Sequence, residues 1–356
     1  MILNNKKDIN WINGVKAVSI IAVYFVHCQS FYGLWLGGVN DYIHPFYVNA
    51  FFFVSGYLLF RKQLNYPIIE EKASAYAIGG GKQLVVNSFF RIIVPSVIFA
   101  TIEYVPKNLI RGYDLDISDL FWDTIGGCTY WFTSALVVSQ IILLVLFFTR
   151  CEKIWLYWII SMIVMAGGMF MTKNEMNFLG LTHDLWEFKH GLYALPFLAA
   201  GGLYWKYETL IQKIMKKKVV ALMFIIYLLA FCLFHKDVRV LVSMLDVNWI
   251  GYIAGCFSSV LLIQLCKYLP VIKVLIYIGQ NSIAFYFMSG AIPVVLSMVA
   301  SKVQGTSNIF GLISVLFISI VLAYIITYLI NKYLPWLFDL RFLVNRMAYY
   351  CQKNKA

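Results

Sequence analysis

Long uninterrupted apolar runs alternate along this chain with short polar, lysine- or arginine-bearing stretches. Runs cover 12–31, 43–60, 84–105, 131–149, 154–171, 191–205, 219–235, 248–266, 274–299 and 310–334. Most approach the roughly 20 residues that an α-helix needs to cross a bilayer. The apolar residues do not alternate with polar ones, as they would in a membrane β-barrel strand. A segment in lipid must satisfy its own backbone hydrogen bonds, and continuous apolar runs do so as helices. The pattern therefore predicts an all-α polytopic membrane protein, a bundle of about ten transmembrane helices in one domain covering 1–356. The sixth run is short and carries Gly191, Pro196, Gly201 and Gly202, so a broken or re-entrant segment is expected there. The ninth is long and contains Pro293, which predicts a kink or tilt. Lys6 and Lys7 precede the first run as in a secretory leader, but no small-x-small cleavage site follows, and a plain first span is expected.

Composition agrees. Of 356 residues, 61% are hydrophobic and 13% charged, against about 45–50% and 25% in soluble chains. The net charge of +12 does not indicate nucleic acid, because no nucleic-acid motif accompanies it. It is explained by the positive-inside rule. With ten spans and the N-terminus in the cytoplasm, 20 of the 29 basic residues fall inside and 7 outside, leaving Lys16 and Arg91 in or near spans. Both termini are then cytoplasmic. The same topology puts His27, His44, His183, His190 and His235 on or near the outer side. It puts Asp114, Asp116, Asp119 and Asp123 in the outer loop after the third span. Seven cysteines without a CxxC pair, most in or beside apolar runs, suit buried thiols rather than a disulfide framework. Gly79, Gly80 and Gly81 lack the strand–turn–helix context of a phosphate loop and are expected to form a flexible turn.

Ionisable residues inside spans are costly and so are candidates for function. Lys16 and His27 share the first span, eleven positions or three turns apart, and project from nearly one face about 16 Å apart along the axis. A cation toward the cytoplasm and an imidazole toward the outside suit a reaction that crosses the membrane. A snorkelling lysine and an interfacial histidine fit the same spacing. Arg91 and Pro95 open the third span, and Glu103 closes it at the depth of His27. A guanidinium there can bind phosphate or anchor the helix at the interface. A carboxylate there can orient an imidazole or lie on the rim without a partner. Asn49, Ser55 and Gly56 lie in the second span. Ser and Gly permit close helix packing, and Ser55 has no G-x-S-x-G context. Tyr130-Trp131-Phe132 opens the fourth span, either as part of an aromatic belt or as a platform for stacking a sugar. No His, Cys, Asp and Glu spacing suggests a metal.

These residues resemble the acyltransferase-3 family of membrane proteins. Asn13-Gly14, then Lys16 and His27 at the family's spacing, match its opening pattern, with Lys in place of the family's Arg. Phe52 to Leu58 fall within its Phe-Phe-x-x-Ser-Gly-Tyr/Phe-Leu element, and Arg91 and Pro95 match its Arg-x-x-x-Pro. The arginine pair often found just before is replaced by Asn87-Ser88. Trp131-Phe132 resembles the family's Trp-Phe, and Tyr277 to Ser282 its late Gly-x-x-Ser element, followed here by Met288-Ser289. The pattern is most similar to the branch of sugar O-acetylases and exopolysaccharide acyl-modifying proteins. The resemblance implies a bacterial cytoplasmic membrane location and an acyl-CoA donor, acetyl-CoA in that branch, with no metal. It implies a glycan or lipid-linked sugar acceptor, with glycan-synthesis machinery or further copies of the chain as partners. On that basis His27 is expected to act as general base or transient acyl carrier, oriented by Glu103. Lys16 and Arg91 would contact the donor, while Trp131, Asn49 and Ser55 would line the acceptor site. A transporter or flippase for a lipid-linked sugar or exopolysaccharide is the alternative, and a structural subunit of a glycan-synthesis complex a third.

Overall fold

The computed structural model describes residues 10–64, 84–147, 153–176, 178–181, 183–234, 249–304 and 308–343. Lys6, Lys7, Gly79, Gly80, Gly81, Cys151, Cys351 and His235 lie outside them. The elements are α1 (Asn10–Tyr32), α2 (Gly37–Ile43), α3 (Asn49–Leu64), α4 (Leu84–Leu109), α5 (Ile117–Thr124), α6 (Trp131–Phe147), α7 (Ile154–Lys173), α8 (Phe188–Lys206), α9 (Glu208–Ile214), α10 (Lys217–Phe234), α11 (Trp249–Tyr268), α12 (Lys273–Gln280), α13 (Ser282–Ser289), α14 (Ile292–Gln304) and α15 (Ile309–Tyr333). Among the described residues there is no strand.

Helices occupy all ten predicted positions. Five of them, α1, α4, α7, α11 and α15, are long and apolar enough to cross a bilayer. The pair α13–α14, bent by 42°, is long and apolar enough only when taken together, as a broken span or a re-entrant loop, and α6 is a shorter apolar helix. Outer helices leave apolar side chains uncovered: Ile163, Leu222, Phe310 and Phe317 are all exposed. Lipid solvates such a surface, so burial inside protein is not required of them.

The central helices differ from the outer ones in sequence because protein, not lipid, surrounds them. The sixth run, expected to be broken, is instead the continuous helix α8, buried almost without interruption from His190 to Gly202. Its glycines serve contact rather than breakage. A Cβ on Gly201 would stand 1.9 Å from the carbonyl oxygen of Phe53, and one on Gly56 would stand 1.9 Å from that of Leu198. α3 and α8 therefore touch backbone to backbone, the close approach that small residues allow. The same logic joins α1 to α12, where a Cβ on Gly279 would meet the Asn13 carbonyl oxygen at 2.0 Å. At one end of the bundle a polar knot ties α1, α3, α8, α9 and α11. Lys267 donates to Glu208 (2.6 Å) and to Tyr204 (2.9 Å), Tyr57 donates to Glu208 (2.7 Å), and Trp11 lies under the ammonium. The ninth span bends at Gly290–Ala291, just ahead of Pro293, which sits in the first turn of α14 where its missing N–H costs nothing.

Candidate functional site

A cavity of about 310 Å³ lies where α1, α4, α6 and the α13–α14 break converge, and His27, Glu103 and Trp131 all line it. His27 reaches it from the far end of α1, and Glu103 from α4. A Cβ on Gly290 would lie 3.5 Å from the Glu103 carboxylate, so the unwound turn leaves room beside it. Tyr130 stands next to Glu103 and donates from its hydroxyl to the Phe287 carbonyl at 2.9 Å. Helix ends leave carbonyls without intrahelical partners, and Tyr130 satisfies one at the end of α13. Tyr24 donates likewise to Phe285 (2.8 Å). Phe132 closes the wall, its ring packed 4.9 Å from Phe52 and its N–H donating to Tyr286 at 3.2 Å.

Trp131 is backed by a second buried pair. His190 Nδ1 is 2.7 Å from the Glu187 carboxylate, and the His190 ring centroid is 5.1 Å from that of Trp131. Trp186 and Glu187 hold left-handed backbone angles, φ 56° and 51°, an unfavourable state for side-chain-bearing residues. The turn is fixed by its contacts: Trp186 N–H donates to Gly126 (2.8 Å), and Ser134 donates to the Gly127 carbonyl (2.8 Å). Gly127 itself has φ 79°, and a Cβ there would meet Ser134 Oγ at 2.6 Å.

Lys107, Asp123 and Cys128 line both this cavity and a wider one of about 540 Å³, so the two are contiguous. The wider one carries Asp114, Asp116 and Asp119 together with Tyr113, Trp122 and His183. Lys107 pairs with Asp123 at 3.2 Å where they meet. Burial, then the charges of Glu187, Asp123 and Asp184, push the Cys128 thiol up to about 12.

The other sequence candidates lie elsewhere. Lys16 is half-buried on α1, close enough to Arg91 for the two charges to repel, and neither lines the cavity. Arg91 sits in a single π-helical turn, Phe89–Ile93, and pairs with Asp339 at 3.4 Å. Asn49 is fully buried and donates to the Pro45 carbonyl (2.9 Å), with Gly255 against it. Ser55 is on α3 beside Gly56. Neither Asn49 nor Ser55 lines the cavity; the tight α3–α8 contact at Gly56 accounts for the motif that contains Ser55. Glu187 and the ninth-span break were not singled out as site features from sequence, and Tyr130 only as part of an aromatic belt or sugar platform. The only trace of Glu187 and His190 is an i, i+3 spacing at the start of a run. Among the described residues no group of three His, Cys, Asp or Glu could hold a metal.

Such an arrangement, an imidazole and a carboxylate in a cleft between membrane helices, suits proton transfer to or from a hydroxyl. The family model of the acyltransferase domain matches residues 9–331. The chain belongs to the acyltransferase-3 family and is a multi-pass membrane acyltransferase. Neither a curated protein nor a solved structure matches it significantly.

Proposed function

We propose that the protein is a membrane O-acyltransferase of the bacterial cytoplasmic membrane. It moves an acetyl group from cytoplasmic acetyl-CoA to a hydroxyl of a cell-surface or lipid-linked glycan. The observation that carries this is the shared cavity of His27, Glu103 and Trp131. In the step proposed, His27 takes the acceptor's hydroxyl proton as the oxygen attacks the thioester carbonyl. The new C–O ester bond forms, the C–S bond breaks, and the imidazolium returns its proton to the departing thiolate. Glu103 orients the imidazole from the same cavity, and the carbonyl end of α13 favours the imidazolium during that step. Trp131 offers a sugar ring an apolar face, held in place by His190 and Glu187. Lys16 and Arg91, at the end of the bundle rich in basic residues, are suited to the donor's phosphates.

The test is acylation of the surface glycan, read by mass spectrometry, in cells carrying His27→Ala at matched membrane abundance. Loss of one acetyl mass unit is expected. Near-normal acylation would remove His27 from the mechanism, and a glycan unchanged by deleting the whole gene would remove the acceptor class.

A further inference from the structure

The segment after α15 returns to the start of α4 and places a second guanidinium beside Arg91. Leu340 N–H donates to the Phe90 carbonyl at 3.1 Å, docking the segment on the π-helical turn. Arg341 grips both oxygens of Asp339, Nε to Oδ1 at 2.8 Å and Nη2 to Oδ2 at 2.5 Å, and its Nη1 donates to Asn87 Oδ1 at 2.6 Å. Arg91 Nε lies 3.4 Å from Asp339 Oδ2 as an ion pair. One carboxylate thus orients Arg341 and draws in Arg91, and Lys16 adds a third positive charge nearby. Among the described residues no carboxylate lies within 4.0 Å of Lys16.

Exposure runs opposite to what a buried structural ion pair requires. The Asp339 side chain is 14% exposed, while Arg341 is 35% and Arg91 54% exposed. The anion is covered and both cations face outward. Three of the five guanidinium N–H groups of Arg341 are used, which leaves two for a ligand in a fixed plane. Paired guanidiniums held in rigid forks bind phosphate oxygens bidentately.

We infer that Arg341, oriented by Asp339 and Asn87, forms with Arg91 a phosphoester-binding site that receives the phosphates of the acyl donor. This rests on the proposed use of an acyl-CoA donor, and Arg341 lies beyond the residues matched by the family model. An anionic lipid headgroup presents the same chemistry, so the test separates the two sources.

The experiment measures CoA binding by calorimetry to purified full-length protein in nanodiscs of zwitterionic lipid, and repeats it with phosphatidylglycerol present. Arg341→Ala is expected to weaken CoA binding roughly 10- to 100-fold, as loss of charge-assisted hydrogen bonds does. Arg341→Lys should restore part of it, since charge returns without the fork. Asp339→Asn keeps one side-chain oxygen for Arg341, leaves the Asn87 contact in place and removes the charge that competes with a phosphate, so affinity should change by no more than a few-fold. A purely structural clasp would instead lose CoA binding in both Arg341→Ala and Asp339→Asn, and that result overturns the inference. Unchanged CoA binding in Arg341→Ala, with loss in Lys16→Ala, overturns it while leaving the donor assignment standing. If Arg341→Ala alters only stabilisation by phosphatidylglycerol, the occupant is lipid and the inference fails. No CoA binding by the unaltered protein would defeat the donor assignment itself.

Discussion

Gly201→Ala adds one methyl group where α8 presses on α3. Its Cβ would sit 1.9 Å from the Phe53 carbonyl oxygen and 2.8 Å from the Tyr57 nitrogen, whereas real Cβ contacts do not fall below 3.0 Å. Both obstacles are backbone, so no side-chain rotation relieves them and the two helices must separate. Overpacking of this kind costs about 1–3 kcal/mol, and a backbone obstacle belongs at the upper end. The displacement reaches the site, because α3 carries Phe51 and Phe52 against Phe132, with ring centroids 5.3 and 4.9 Å away, and Phe51 and Phe132 line the cavity. A misplacement of about 1 Å costs on the order of 100-fold in rate. The control is Gly167→Ala on α7, where a Cβ meets nothing within 4 Å. There alanine should be neutral or stabilising, by up to roughly 1 kcal/mol from helix propensity. Thermal unfolding in detergent and acetyl transfer at equal protein read both effects. If Gly201→Ala melts and turns over like Gly167→Ala, the backbone-to-backbone contact is not as described.

Tyr130→Phe leaves the Phe287 carbonyl without its donor and removes a hydroxyl beside Glu103. A loss of about 1–3 kcal/mol is expected, with activity falling too; an unchanged melting temperature would count against the satisfied α13 end. Glu187→Ala strips the buried His190 of its 2.7 Å partner. Acceptor KM should rise through Trp131, and an effect on kcat alone would speak against support of a sugar platform. The Cys128 thiol, raised from 9.0 to about 12, should alkylate at pH 8 about a thousandfold more slowly than an ordinary thiol; labelling at an ordinary rate would refute it. Burial alone would raise the Asp339 carboxyl, but hydrogen bonds from Arg341 and the charges of Arg341 and Arg91 hold it below its ordinary value. Docking of the terminal segment gains stability from this above the ordinary carboxylate range, and loses it as pH falls through the depressed value. Quencher access to Trp336, half-buried in the turn Pro335–Leu337 just after α15, should therefore stay constant down through mildly acidic pH, and release already at about pH 6 would contradict the ion pairing.

Much of the fold was legible because lipid-facing helices must be mostly apolar, and α7 and α15 obey that rule along their spans. α8 misled for the same reason: a helix walled in by protein needs small residues more than apolar ones, so Gly201 and Gly202 look like breakers. That His27 and Glu103 line one cavity could be anticipated from depth, since both lie near the same end of their spans. Asn49 and Ser55 could not be separated from the site by pattern, because tight packing and ligand binding both favour small polar residues. The clasp at Arg341 was invisible in sequence. The loss of arginine at Asn87-Ser88 is plain to read, but that Arg341 comes back to Asn87 across 254 positions depends on how α15 returns to α4.

The most direct measurement follows labelled acetyl-CoA with purified protein in nanodiscs and a saccharide acceptor, scoring thioester consumed and ester formed together. One ester should form per thioester lost, and His27→Ala should slow this at least about 100-fold at unchanged melting temperature. Turnover of His27→Ala within a few-fold of the unaltered protein would contradict the account.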